Sequence, residues 1–160
     1  MNEVAVIETG RNVVNVVEND TLEFVTFRIA NQLFGVHVLK VQDILRPEDI
    51  AFVPLAPPEV KGSINLRGRI VTVIDVRVRL GLPENENQEN HMGVTVEQKN
   101  ELYTLLVDEI GEVLELNLKD KEAIPSTLDQ VWREFAVDLY KLETELMVVL
   151  DIDKLLRAEN

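Results

Sequence analysis

Asp151 and Asp153 stand two apart, so on a strand they would share a face and could converge on a metal ion or act as an acid–base pair. Asp108 and Glu109 offer a second such pair. Asp151, however, ends an apolar run just ahead of a short helical stretch, where a carboxylate satisfies the free N–H groups of a helix start. Capping is the simpler reading. His37 lies among alternating apolar residues and His91 in a polar stretch. Neither has a second histidine at a metal-ligand spacing or a nucleophile in a recognisable frame, and both read as structural. No cysteine is present, which excludes disulfides and thiolate metal sites. Gly-rich phosphate loops, nucleophile elbows and dinucleotide fingerprints are missing from the sequence. Trp132 and Tyr140 read as core aromatics rather than interface anchors. The reading is therefore non-enzymatic, with no catalytic residue, no metal and no cofactor.

A different chemistry is concentrated between Lys61 and Leu80. A short β-like piece, Ser63 to Leu66, enters an Arg67–Gly68 corner, and a β-branched strand, Ile70 to Val76, leaves it. Around the corner sit Lys61, Arg67, Arg69, Arg77 and Arg79, with Asp75 as the one acid. This basic cluster lies in a chain of net charge −13. Residues 1–80 hold 10 acids and 9 bases, whereas residues 81–160 hold 19 acids and 7 bases. Such a chain repels a phosphate backbone, and its 8 aromatics do not alternate with basic residues as a base-stacking platform would. Nucleic acid is excluded as a partner. Arg67 at a tight corner presents a planar, permanently charged fork suited to a carboxylate or carbonyl, and Gly68 lets a partner backbone come close.

The elements that must position this corner are mostly strands. The spacing predicts a tail over residues 1–20, then a hairpin of Leu22–Ala30 and Phe34–Val38 turning at Asn31–Gln32. Lys40–Leu45 suits one helical turn or a bent strand, and the prolines from Pro54 to Pro58 predict an extended loop. Residues 84–90 read as an exposed acidic loop. A second β region starts near Gly93, turns at Gln98–Asn100, and carries a predicted bulge at Gly111. Trp132–Leu142 suits a strand or a helix by period, with a strand expected over Phe135–Leu139, and a short closing helix is expected over Asp153–Arg157. No signal peptide or membrane-spanning stretch is evident, so a cytoplasmic location without direct membrane insertion is expected.

The chain also repeats itself weakly. Phe34, Val36, Val38, Val41, Asp43 and Ile44 correspond, 69 positions on, to Tyr103, Leu105, Val107, Ile110, Glu112 and Val113. Val73, Ile74, Asp75, Val76 and Leu80 correspond, 76 positions on, to Val149, Leu150, Asp151, Ile152 and Leu156. Two similar small β-barrels or sheets of about five strands, each small for a stable core of its own, would satisfy this pattern by packing on one another.

These residues resemble the CheW family of chemotaxis coupling proteins. The likeness rests on Phe34-Gly35-Val36 leading to Val41-Gln42-Asp43-Ile44, and on Gly62-Ser63-Ile64-Asn65-Leu66-Arg67-Gly68. Ile70 to Arg77 and Val107 to Val113 complete it. The resemblance implies a mainly β fold of two intertwined five-stranded SH3-like barrels with a short C-terminal helix. The domain would span residues 21–157, with a first barrel over about 21–82 and a second over about 93–157. It implies an adaptor that joins the cytoplasmic tip of a chemoreceptor to the regulatory domain of a CheA-type histidine kinase, recruited to membrane-associated receptor arrays. Carried onto this chain, the receptor-binding residues are Val41, Asp43, Ile44, Gly62, Asn65, Arg67 and Gly68. Asp43 stands where the family often has Glu, so an Asp43–Arg67 pair needs closer backbones. The alternative from another class is a small β-barrel that binds a ligand, or a metal-dependent hydrolase using Asp151 and Asp153.

Overall fold

The computed structural model describes residues 20–83 and 91–156. The expected tail up to residue 19, the acidic loop 84–90 and Arg157 of the expected closing helix lie outside the described residues. Asp20, the last residue assigned to that tail, is described: its carbonyl accepts the amide N–H of Leu118 at 2.9 Å.

Two hairpins set the pattern. β1 (Thr21–Ile29) and β2 (Gln32–His37) are joined by Ala30 and Asn31, at φ 52° and 69°. β6 (Met92–Gln98) and β7 (Glu101–Val107) are joined by Lys99 and Asn100, at φ 52° and 68°. Two consecutive left-handed residues match the right-handed twist of the strands they connect. The first turn thus falls one residue earlier than the sequence suggests, because Gln32 already pairs with Ile29. It maps onto the second turn by the same 69-residue offset as the repeat.

The remaining strands are β3 (Val41–Leu45), β4 (Val60–Leu66), β5 (Arg69–Asp75), β8 (Glu109–Asn117), β9 (Lys121–Glu122), β10 (Ala136–Lys141) and β11 (Leu146–Leu150). One sheet runs β8-β1-β2-β11-β10-β9 and the other β3-β6-β7-β5-β4. The repeat maps one order onto the other: β8, β1, β2, β11 and β10 match β3, β6, β7, β5 and β4. Each sheet therefore takes a hairpin from one half of the chain and its remaining strands from the other, four in the first sheet, with β9, and three in the second. Parallel pairings make the joints, β2 beside β11 and β5 beside β7. Even the two-residue β9 has a counterpart in the isolated Ala51–Ser63 bridge, since β9 pairs Glu122 with Leu139, which matches Ser63.

Interleaving explains the near-continuous apolar runs in β2, β6 and β7. Both faces of these strands are covered, as in strands sandwiched between layers. One face of β1–β2 offers Phe27, Ile29, Phe34 and Val36 to Val94, Val96, Leu105 and Val107 of β6–β7, forming the large shared core. The other faces line two smaller cores, Phe24, Leu33, Tyr140, Met147 and Val149 in one barrel and Ile64, Val71, Val73 and Leu106 in the other.

Three local expectations resolve as follows. Val38–Lys40 forms a 3-10 turn and Val41–Leu45 a strand. The bulge falls at Gly111–Glu112, opposite Thr26, where an added Cβ on Gly111 would lie 2.5 Å from Thr26 Oγ1. The strand expected over Phe135–Leu139 begins one residue later, because α2 (Gln130–Phe135) occupies the preceding segment with Asp129 capping Val131 N–H at 2.9 Å.

Candidate partner-binding site

The basic corner is a two-residue turn between β4 and β5. Arg67 and Gly68 have φ 53° and 86°, and Leu66 pairs with Arg69 across the turn. The Asn65 side-chain oxygen accepts the Gly68 amide at 2.9 Å and holds the corner closed. Glycine takes this conformation freely, but arginine adopts it at a cost of about 1 kcal/mol. The Arg67 side chain is 74% exposed.

β3 supplies the facing acid. Between Val41 and Asp43 the pairing with β6 shifts by one residue, so Gln42 is an extra residue in a bulge. Bulges re-aim the side chains beyond them. Asp43 Oδ2 meets Arg67 Nη2 at 2.9 Å. β3 and β4 are the two outer strands of their sheet, so this contact brings its edges together. The shorter acid reaches its arginine after all.

The other expected residues divide by exposure. Ile44, Asn65 and Gly68 are exposed, Val41 is half-buried, and Gly62 is buried. Gly62 has φ 153°, and a Cβ there would collide with the Ala51 carbonyl oxygen. Its absence of a side chain lets the β3–β4 loop bridge back onto Ser63. Around Gly68 an added Cβ meets nothing. The two glycines of one motif thus serve different ends, one the fold and one open space at the surface. Ile70 was absent from the expected set, yet it is 72% exposed beside Arg69. Its place out of phase with the buried Val71 and Val73, on the opposite face of β5, was the available signal.

Arg77 and Arg79 leave the cluster for structural work. α1 (Val76–Arg79) starts at Asp75, whose side chain accepts the Arg77 amide at 3.0 Å. Arg77 grips Asp108 with two hydrogen bonds of 3.1 and 2.7 Å, and these hold the guanidinium above its ordinary pKa. Asp108 also accepts the Ala30 amide at 2.8 Å. Arg79 donates to the Leu155 carbonyl at 2.7 Å and lies 4.9 Å over the Phe135 ring.

The candidate catalytic acids find similar duties. Asp151 Oδ1 accepts the Lys154 amide at 3.3 Å at the start of α3 (Ile152–Leu156), and Asp153 is exposed beside Gln98. Among the described residues, no three His, Cys, Asp or Glu side chains gather as a metal would require. His91, expected in a polar loop, is instead buried at the foot of β6, and burial lowers its pKa. His37 Nδ1 accepts the Leu39 amide at 3.2 Å. Tyr140 is buried, and Trp132 packs 5.3 Å from Phe34 while donating to the Leu80 carbonyl at 3.2 Å. No helix among the described residues is long and apolar enough to cross a membrane.

Comparison with known proteins places these features in context. The CheW-like domain model matches residues 23–160. The chemotaxis protein CheW of Treponema pallidum is 26% identical over 153 residues, covering 93% of this chain and 90% of its own length. That of Klebsiella aerogenes is 29% identical over 137 residues, covering 86% and 82%. The crystal structure of the scaffolding protein TtCheW from Thermoanaerobacter tengcongensis aligns with a TM-score of 0.79 at 24% identity, over 87% of this chain and 94% of that one. Its fold is the fold described above.

Proposed function

Because this chain belongs to the CheW-like family, we propose that it is a non-enzymatic adaptor joining chemoreceptors to a CheA-type histidine kinase. The coupling domain is residues 21–157. It reaches the membrane through the receptors, with no segment of its own inserted.

The observation that carries this reading is the Arg67 corner. An exposed ion pair stabilises a fold by about 0–1 kcal/mol. The left-handed arginine costs about as much. The corner therefore contributes little to folding, and strain kept without a stability gain points to function. Arg67, steadied by Asp43, presents a charged fork on a surface that also exposes Ile44, Asn65, Gly68, Arg69 and Ile70. That chemistry suits the carboxylates and apolar ridge of an amphipathic receptor helix. A small surface of this kind binds weakly alone and gains strength from many copies in an array.

A pull-down with a receptor signalling fragment and a kinase regulatory domain tests the proposal. Wild type should retain both, and Arg67→Ala should lose the receptor fragment while keeping its fold. Failure of the wild type to retain either partner would sink the adaptor reading.

A further inference from the structure

A cavity of about 250 Å³ opens in the barrel that does not carry the Arg67 corner. It lies between the start of β1, the 3-10 turn after β2, the start of β10 and the end of β11. Leu22, Phe24, Val149 and Ile152 line it with apolar surface. Val137, the extra residue of the β10 bulge, also lines it and is exposed. The other barrel treats the matching place differently. The offsets of the repeat pair Leu22 with His91, Val137 with Lys61 and Asp151 with Asp75. His91 is buried there, close enough to Lys61 and Asp75 for both charges to act on it. One barrel thus places a buried imidazole where its counterpart keeps open space beside Leu22.

The polar groups at the cavity are of two kinds. Asp138 and Asp151 line it but are already engaged, Asp138 at 3.9 Å from Lys121 and Asp151 accepting the Lys154 amide at 3.3 Å. His37 and Lys40 line it with donors to spare. His37 Nδ1 accepts the Leu39 amide at 3.2 Å, so Nε2 carries the ring proton. The Phe24 ring braces this imidazole edge-on at 5.9 Å. Lys40 is exposed and forms no ion pair among the described residues. An apolar cavity with a few convergent polar groups is the usual form of a small-ligand site. Unengaged donors select an acceptor head, and a charged one bonds Lys40 more strongly than a neutral one. The two carboxylates on the wall repel a dianion such as phosphate more than a singly charged group. The apolar lining selects a hydrocarbon body.

We propose that this cavity binds a small apolar monocarboxylate, its head on Lys40 and His37 and its body against Leu22, Phe24 and Val149. The site is independent of the adaptor reading. Calorimetric titration of the full chain with octanoate, octylammonium, leucine and phosphate tests it. Octanoate should bind at one site, at least tenfold tighter than octylammonium or leucine, and phosphate should give no heat of binding. Lys40→Glu should weaken octanoate at least tenfold, whereas Lys99→Glu, an equal charge change on the β6–β7 turn, should leave it as in wild type. Val137→Trp should block binding by filling the cavity, with the urea unfolding midpoint unchanged. Equal binding of octanoate and octylammonium would reduce the site to unselective apolar contact and overturn the proposal. Tighter binding of leucine would assign the cavity to a zwitterion held by the two aspartates, and would overturn it too. Octanoate affinity untouched by Lys40→Glu, or no octanoate binding at millimolar concentration, would have the same force.

Discussion

At the scale of single residues, the two glycines of the Gly62–Gly68 stretch should separate stability from the proposed recognition. Gly62→Ala drives a Cβ against the Ala51 carbonyl oxygen, a backbone atom that cannot move aside cheaply. It should destabilise by about 3 kcal/mol in urea titration. Gly68→Ala meets no neighbour and bears only the left-handed backbone, about 1 kcal/mol. Its larger effect should appear in receptor binding, where the partner backbone loses room. Equal unfolding midpoints for the two variants would contradict this division. The sequence made the motif visible but not its internal difference, since both glycines look alike until the bridge between Ala51 and Ser63 is known.

At the scale of elements, the structure joins its halves through side chains that serve as clamps. Asp108 answers Arg77 from α1 and the Ala30 amide from the β1–β2 turn at once. Both partners of the ion pair are mostly buried, at 15% and 17% exposure. Asp108→Ala leaves a half-buried guanidinium and an amide without that carboxylate, and should cost about 2–3 kcal/mol in thermal or urea unfolding. Arg67→Ala, at an exposed pair, should stay within about 0.5 kcal/mol of wild type. A comparable loss in both would show that the corner is structural. The acids that recur at Asp75 and Asp151 were legible in the repeat, and both open helices by capping. The recurrence at Asp43 and Glu112 was a weaker guide: Asp43 reaches Arg67, whereas Glu112 sits in the β8 bulge and its carbonyl oxygen accepts a hydrogen bond from the Thr26 hydroxyl. α2 escaped the sequence reading because six residues are too few for a helical period to stand out beside the strand that follows.

At the scale of the whole molecule, the exchange of hairpins makes folding one event. Strand periodicity told which faces are buried, and the offsets of 69 and 76 told that two like units exist. Neither could tell that each sheet borrows strands from the other half of the chain, because a period of two carries no information about the neighbouring strand. The consequence is testable by fragments. Residues 1–83 alone keep β1–β5 but lack every strand that β1, β2, β3 and β5 pair with from the other half. They should remain unfolded by circular dichroism and fold only on mixing with residues 84–160; independent folding of the first fragment would contradict the interleaved core. On the adaptor reading proposed above, this single interleaved unit holds receptor and kinase together, with the Arg67 corner as the proposed receptor contact. The most direct test of that claim is light scattering on size-exclusion eluates of chain, receptor signalling fragment and kinase regulatory domain, alone and mixed. The account predicts a three-component peak that forms only when this chain is present and disappears with Arg67→Ala. Elution of the receptor fragment and the kinase domain as mutually exclusive complexes with the chain would contradict it.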